Sequence, residues 1–246
     1  MENTSYVALS RQGALRRQMD VVANNLANMS THGFKGGSMM FVEHLVKSKE
    51  AGSPLSPRLA YTRDIATMID TAPGATETTG NPLDVAIQGE GYFTLQTPDG
   101  ESYTRTVRFQ VDNPGQWVNQ LGQAVLADGG APVVFAPEDT DIVISRDGTI
   151  STNNGELGKL RVVNFENQQL LERISGAQFT SPDDNPPQDV ENASILQGAI
   201  EGSNVQPIVE MSRMIAIHRT YDGVREFMKR EDERHCFVIR HRAAGR

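Results

Sequence analysis

Apolar residues recur at alternating spacings of three and four near the start of the chain. The positions that follow this pattern are Leu15, Met19, Val22, Leu26 and Met29. This spacing places one apolar stripe along a helix and is typical of a helix that packs against another helix. Gly33 predicts the end of the segment, because glycine adopts the left-handed conformation of a helix stop without strain.

A second stretch with the same spacing lies near the end of the chain. Its apolar stripe consists of Met214, Ile217, Tyr221, Val224 and Met228, and a second apolar row contains Ile208, Met211 and Ile215. Pro207 suits the first turn of a helix, because an N–H group would have no partner there. The same spacing then reaches Glu231 and His235, so the stripe loses its apolar character before the tail.

The middle of the chain is predicted to form short β-strands separated by turns. The segment 83–96 contains two strand-like runs around a glycine interruption. Asp99-Gly100 and Asp147-Gly148 are hairpin-type turns. Several further short strands between such turns favour an antiparallel sandwich or an open barrel.

These patterns predict an α+β fold in which the terminal helices pair as a coiled coil around a central antiparallel all-β domain. The stretch 36–80 is predicted as an extended linker, because it has few periodic signals and is interrupted by prolines. The predicted organisation is an N-terminal helix at 1–35, that linker at 36–80, the β domain at 81–180, a return linker at 181–202 and a C-terminal helix at 203–246.

Composition and charge narrow the classes of function. The 246-residue chain has a formal charge of −8, which disfavours nucleic acid as a partner. It has no run of about eighteen apolar residues, so no membrane insertion is expected. The first residues lack the basic and apolar regions of a cleavable secretory signal, so that route of export is not expected. The single cysteine, Cys236, excludes an internal disulfide framework.

Motifs for catalysis, cofactor binding and metal binding are weak throughout the sequence. The G-x-G run at Gly89 and Gly91 lacks the third glycine and the following helix of a dinucleotide site, so a bend between strands is the better interpretation. No histidine pair has the spacing of a zinc-binding helix. Acidic residues such as Asp99 and Asp147 suit turn formation. We therefore expect no catalytic residues, no cofactor and no metal.

Three asparagines, Asn24, Asn25 and Asn28, cluster near the end of the first helical segment. Asparagine is a modest helix former, so its repeated use there needs a reason. One interpretation is that these residues cap the helix. The other is that they donate hydrogen bonds to a neighbouring chain and set the register of packed helices. The sequence leaves both interpretations open.

The residues around these asparagines resemble a known signature. The segment 21–41, VVANNLANMSTHGFKGGSMMF, is similar to the motif A-N-N-x-A-N-x-x-T-x-G-F-K near the N terminus of the bacterial flagellar rod and hook proteins. The segment 201–224 resembles the C-terminal motif of the same family, and 81–105 resembles its central segment. One departure is Val107, which occupies the glycine position of the family's Y-T-R-x-G-x-F run.

The resemblance implies a structural subunit. Proteins of this family pair their terminal helices, assemble with other rod and hook-basal-body proteins, and are exported by the flagellar type III apparatus without a cleavable signal peptide. We therefore expect a self-assembling subunit of the proximal rod, which crosses the periplasm and transmits torque from motor to hook; a distal rod or hook subunit is the alternative. The expected assembly interface comprises Leu15, Met19, Val22, Asn24, Asn25, Leu26, Asn28, Met29, Phe34, Met211, Met214, Ile217, Tyr221, Val224 and Met228.

Two other classes of protein remain open from the residues alone. A β-rich extracellular binding module would combine similar strands with helical ends that need not pair, and it would usually carry a cleavable signal. An enzyme that uses carboxylates would need two acidic side chains that converge in one pocket.

Overall fold

The computed structural model describes residues 2–47 and 58–244, and it has two long helices with β-structure between them. Helix α1 spans Glu2–Ala27, and helix α2 spans Pro207–Ala244. The strands of the described residues are β1 (Gly37–Lys47), β2 (Arg58–Ile69), β3 (Thr76–Thr78), β4 (Asp84–Gln88), β5 (Tyr92–Thr97), β6 (Gly100–Thr104), β7 (Thr106–Arg108), β8 (Gln110–Val111), β9 (Trp117–Val118), β10 (Ala124–Val125), β11 (Val143–Ile144), β12 (Thr149–Thr152), β13 (Gly155–Lys159), β14 (Val162–Asn164), β15 (Glu172–Ser175), β16 (Gln178–Thr180), β17 (Gln188–Asp189), β18 (Ser194–Gln197) and β19 (Ala199–Glu201). A short 3₁₀ turn spans Gln168–Leu170. This element order confirms the α+β class.

Contacts along the chain divide it into two compact units. The helical unit contains the described residues of 1–27, 37–68 and 206–246. The β unit contains residues 28–36 and 69–205. Each unit is therefore built from segments that are far apart in the sequence.

In the helical unit, α1 packs against both α2 and β1, and β1 pairs with β2. Both strands lie in the stretch 36–80, for which the sequence predicted an extended linker. Their pairing satisfies backbone N–H and C=O groups that a free linker would leave to water. Pro54 and Pro57, which suggested the linker, lie outside the described residues.

The largest sheet of the β unit has the strand order β15-β16-β6-β5-β10-β9-β8, and β14 pairs with both β5 and β17. Smaller sheets have the orders β11-β12-β13, β18-β4-β7 and β19-β3. β18 runs antiparallel to β4 with Ile195 opposite Ile87. The stretch 181–202, predicted as a return linker, thus contributes strands to the sheets, because its backbone pairs with strands much earlier in the chain.

The core of the β unit lies on both faces of β5. Phe93 and Leu95 belong to one apolar cluster with Trp117, whereas Tyr92 belongs to a second cluster with Phe179. Successive side chains of a strand point to opposite faces, so one short strand serves both clusters. The two clusters give the β unit a well-packed interior of its own.

Two predicted turn positions lie close to the ends of elements. Thr97 pairs with Gly100 at the β5–β6 hairpin, so the turn consists of Pro98 and Asp99, one residue before the predicted Asp99-Gly100. Gly33 lies in the turn that follows α1 and has a φ of 66°, the left-handed conformation that glycine adopts without strain, but the helix itself already ends at Ala27. Val107, which replaces the family's glycine, lies in β7 opposite Val85. A short strand therefore occupies the place where a glycine turn would otherwise be expected.

Candidate functional site

The predicted apolar stripe of α2 is its least exposed face. Ile217 is buried, with 7% of its surface exposed. The half-buried members of the stripe are Met214, Tyr221, Val224 and Met228. Glu231 and His235 continue the same face and are also half-buried. The less exposed face of α2 therefore extends beyond its apolar residues. The helix itself continues through the tail and ends at Ala244.

The predicted stripe of α1 is covered in the same way. Val22 is buried, as is Ala14 outside the predicted stripe. The half-buried members are Leu15, Met19 and Leu26. Since α1 packs against α2 and β1, these side chains are covered inside the helical unit.

A second row of apolar side chains on α2 is exposed. Ile208, Met211 and Ile215 are 81%, 53% and 53% exposed. Their spacings of three and four place them on one side of the helix. On α1, Tyr6 and Leu9 are also more than half exposed. The helical unit therefore presents apolar surface in addition to the apolar stripes that it covers.

Asn25 forms a buried polar link within the helical unit. Its Nδ2 donates to Oε2 of Glu210 on α2 at 3.2 Å and to the carbonyl oxygen of Gly37 at 2.8 Å. The backbone N–H of Gly37 donates back to Oδ1 of Asn25 at 2.9 Å. Arg213 donates to the other carboxylate oxygen of Glu210 at 2.7 Å. Asn25 therefore joins α1, β1 and α2 of one chain, which differs from both a cap and a contact with a neighbouring chain.

The other predicted residues near the end of α1 lie in different surroundings. Oδ1 of Asn28 accepts a hydrogen bond from Oγ1 of Thr31, and this local turn agrees with the capping interpretation. Asn24 and Met29 are exposed. Phe34 is fully buried in the β unit beneath the guanidinium group of Arg173, at 4.2 Å from the ring centre. Phe34 has no exposed surface within the chain, and its expected place in the assembly interface stays a prediction.

A cluster of three buried charged side chains lies in the β unit. Nζ of Lys35 is 2.6 Å from Oε1 of Glu201, and Nε of Arg105 is 3.1 Å from Oε2 of the same carboxylate. These side chains are at most 5% exposed. The family signatures in the sequence included Lys35 and Glu201 but gave neither a partner, because their separation along the chain hides the contact.

Backbone groups complete this cluster. Lys35 donates to the carbonyl oxygen of Ala72 at 2.7 Å, and the N–H of Gly74 donates to Oε1 of Glu201 at 2.8 Å. Arg105 donates to the carbonyl oxygens of Gly91 and Gly89 at 2.7 and 2.6 Å. Burial lowers the pKa of Lys35 below its usual range, although the hydrogen bond to Glu201 opposes this effect. The Glu201 carboxylate is thus ion-paired with both cations.

The remaining geometry offers little for catalysis or metal binding. Among the described residues, no group of three or more His, Cys, Asp and Glu side chains could hold a metal ion. A groove of about 500 Å³ is lined by polar residues that include His32 and Arg108, and a cavity of about 240 Å³ contains Glu90 beside Arg105. Neither brings two acidic side chains together. No helix in the described part of the chain has an apolar stretch long enough to cross a bilayer.

Three family models match successive parts of the chain. The model described as "Flagella basal body rod protein" matches residues 6–35. The model for the D1 domain of flagellar hook protein FlgE/F/G matches residues 86–152, and the C-terminal model of the flagellar basal body rod FlgEFG proteins matches residues 196–235. The first and third matches include most of α1 and α2, and the second lies within the β unit.

Full-length relatives agree with these matches. The flagellar basal-body rod protein FlgF of Caulobacter vibrioides is 35% identical over 228 residues, which cover 93% of each chain. FlgF of Salmonella typhimurium is 32% identical over 247 residues, which cover 95% of each chain. The rod protein FlgG of Bacillus subtilis is 28% identical over 254 residues, covering 95% of this chain and 96% of the relative.

Proposed function

Because the chain belongs to the family of flagellar basal-body rod proteins, we propose that its terminal helices join it to other rod subunits in the flagellar basal body. The chain is a structural subunit of the rod and not an enzyme. The F-type relatives support the proximal rod as its position. In this role the subunit forms part of the shaft that crosses the periplasm and carries torque from motor to hook.

The exposed apolar row of α2 carries this proposal. Ile208, Met211 and Ile215 would each lose contact with water if a helix of a neighbouring subunit packed along the row. Removing apolar surface from water is the main favourable term in such associations. On α1, Tyr6 and Leu9 are exposed apolar side chains as well. A helical face of this kind suits a subunit that packs side by side with copies of similar proteins.

The predicted interface residues other than Phe34 divide into three roles under this proposal. The covered stripes pair α1 with α2 as a coiled coil inside the subunit, and they include Leu15, Met19, Val22, Leu26, Met214, Ile217, Tyr221, Val224 and Met228. Asn25 links the same helices at their adjoining ends. Met211 and Met29 are exposed and remain available to neighbours, and Asn24 is exposed as well. Asn28 shapes the turn after α1.

Export is the second part of the proposal. The subunit reaches the rod through the flagellar type III apparatus, without a cleavable signal peptide. The resemblance of both helical signatures to exported rod and hook proteins supports this route. The proposal involves no nucleic acid, no membrane insertion and no cofactor.

The test replaces two exposed apolar side chains of α2. A Met211→Ser/Ile215→Ser variant, expressed in cells that lack their own copy of the gene, should be made and exported but should not be retained in purified basal bodies. Motility in soft agar should be lost with it. Because both side chains are exposed, the folded monomer should keep its far-UV circular dichroism.

A matched control removes two exposed apolar side chains from the β unit. Leu121 and Val143 are 67% and 51% exposed, so Leu121→Ser/Val143→Ser changes a similar amount of apolar surface elsewhere. This control should restore motility and rod retention. Normal motility with the α2 variant would contradict the proposed surface, whereas loss with both variants would point to general damage to the fold.

A further inference from the structure

The Lys35–Glu201–Arg105 cluster brings together three segments that are distant in the sequence. Lys35 lies just after the turn that follows α1, Arg105 lies between β6 and β7, and Glu201 ends β19 shortly before α2. Each of these three positions falls within one of the family-like segments described above. The cluster therefore joins the part of the β unit that follows α1 to the part that precedes α2.

Hydrogen bonds also connect the backbone segments around the cluster. The N–H of Gly33 donates to the carbonyl oxygen of Glu201 at 2.8 Å, and the N–H of Gly36 donates to Oδ1 of Asn204 at 2.7 Å. Nδ2 of Asn204 donates to the carbonyl oxygens of Asp70 and Ala72 at 2.9 and 3.1 Å. The segments 33–36, 70–74 and 201–204 are thus connected to one another by hydrogen bonds.

Steric constraints show how closely two of these segments approach. A Cβ atom placed on Gly74 would lie 2.0 Å from the carbonyl oxygen of Gly202, so only glycine fits there. The N–H of Gly202 also donates to the carbonyl oxygen of Ala75 at 2.7 Å. Lys35 and Glu201 are buried near these backbones, and burying a charged side chain is costly unless it is paired.

We propose that Glu201 is the hub of a clasp that holds the segments 33–36, 70–74 and 201–204 as one cooperative unit, so that both helix-flanking ends of the β unit open or close together. The carboxylate is ion-paired with both buried cations, so its loss removes the ion-pair partner of each. Loss of Lys35 is different, because Glu201 would still be paired with Arg105. The clasp lies within one chain, so its test is independent of assembly through the helices.

Amide hydrogen exchange of the full-length protein tests the clasp. In Glu201→Gln, the amides of Gly33, Gly36 and Gly74 should exchange together on the order of a hundredfold faster, since breaking a buried ion pair leaves uncompensated charge. Of these amides, Gly74 alone contacts the Glu201 side chain. Amides of β5 should keep their protection, because its apolar clusters do not include Glu201. Faster exchange at Gly74 alone would overturn the clasp.

Two further variants are compared with Glu201→Gln to test whether Glu201 is the hub. Lys35→Met should accelerate the same amides much less than Glu201→Gln, and an equal or larger effect would show that Glu201 is not the hub. Glu77→Gln removes an exposed carboxylate from the neighbouring strand β3, opposite Ile200, and should leave all three amides unchanged. Acceleration by this control would also contradict the proposal, because it would reflect general weakening of the β19–β3 pair.

A variant that fails to fold still gives an answer. If Glu201→Gln is unfolded, Lys35→Met/Glu201→Gln has one fewer unpaired buried cation and should recover the native circular dichroism spectrum. No recovery in the double variant would overturn the proposed role of charge. If both variants fold, the double variant should exchange more slowly at Gly33 and Gly74 than Glu201→Gln alone.

Discussion

The β unit and the helical unit bury their side chains in very different ways. The β unit has two apolar clusters, with Phe93, Leu95 and Trp117 completely buried in the first. In the helical unit, the side chains of α2 are described as far as Phe237, and of these only Glu210 and Ile217 are buried. A 38-residue helix therefore has one covered face and leaves most of its surface to solvent.

This difference indicates where each unit obtains its stability. The β unit removes large aromatic and aliphatic side chains from water within one chain, which is the dominant favourable term in folding. A helix that is covered on one side only derives most of its stability from the elements packed against that side. The helical unit would therefore gain further stability from a neighbouring subunit that covers its exposed apolar row.

Removing a large side chain from each unit should give the largest difference between the units in the free energy of unfolding that is lost. Phe93→Ala should lower the free energy of unfolding of the β unit by about 3–5 kcal/mol, because it leaves a cavity against Phe109 and its neighbours. Phe227→Ala, which makes the same change at a side chain 42% exposed on α2, should cost less than about 1 kcal/mol.

The single tryptophan makes this contrast measurable. Trp117 is completely buried in the β unit, so its fluorescence during urea unfolding reports on that unit. Far-UV circular dichroism, dominated by the long helices, follows the helical unit in the same samples. If Phe93→Ala and Phe227→Ala lowered the free energy of unfolding equally, the two units would not differ in the way proposed.

Asn25→Ala should have the next largest effect, and it should act on the helical unit. The substitution removes the partner of both backbone groups of Gly37 and one partner of the Glu210 carboxylate. Leaving buried polar groups unpaired typically costs about 1–3 kcal/mol. The helical dichroism should therefore be lost at lower urea concentration. Thr220→Ala is the control, since Thr220 is exposed and bonds only to a carbonyl oxygen of its own helix. If the urea midpoint of Asn25→Ala equalled that of the wild type, the hydrogen bonds of Asn25 would not stabilise the helical unit.

Asn25 also illustrates what could be predicted from sequence. The helical stripes were visible because apolar spacing is a local property, and Val22 and Ile217 are buried as that spacing predicts. Asn25 was recognised as unusual for the same reason. Its partners were not predictable, since Glu210 is distant in the sequence and is brought to Asn25 only by the packing of α2.

The strands β1 and β2 and the charge cluster were missed for a related reason. Strand pairing depends on a second segment, so the stretch 36–80 looked like linker until its two strands were found to pair. Glu201 and Lys35 belong to local signatures, but their ion pair requires the chain to return after more than a hundred residues. Contacts of this kind depend on residues elsewhere in the chain, so neither segment shows them as a local sequence pattern.

Alkaline pH should weaken the β unit through Tyr92. Burial raises the pKa of Tyr92 to about 12, so the folded protein favours the neutral phenol. A raised pKa contributes stability below the ordinary value of 10.0, and that stability is lost as the pH rises towards 12. Tyr92 should account for a loss of about 1 kcal/mol in the free energy of unfolding between about pH 9 and 11.

Tyr92→Phe tests this pH dependence directly. The variant keeps the buried ring and has no phenol to ionise, so its Trp117 fluorescence transition should shift less between the two pH values than in the wild type. Some alkaline loss should remain, because the pKa of Tyr103 is also raised to about 12, with burial as the main cause. The same shift in wild type and variant would exclude Tyr92 as the source.

The smallest effect on stability should come from the exposed row of α2. Ile215→Ser removes a side chain that is 53% exposed, and exposed substitutions usually change the free energy of unfolding by less than about 0.5 kcal/mol. Ile217→Ser, two residues away on the covered face, should destabilise the helices clearly, because it places a hydroxyl group at a buried apolar position. Urea unfolding followed by circular dichroism separates the two variants. If Ile215→Ser weakened the monomer as much as Ile217→Ser, the row would already be packed within the chain and could not serve a neighbouring subunit.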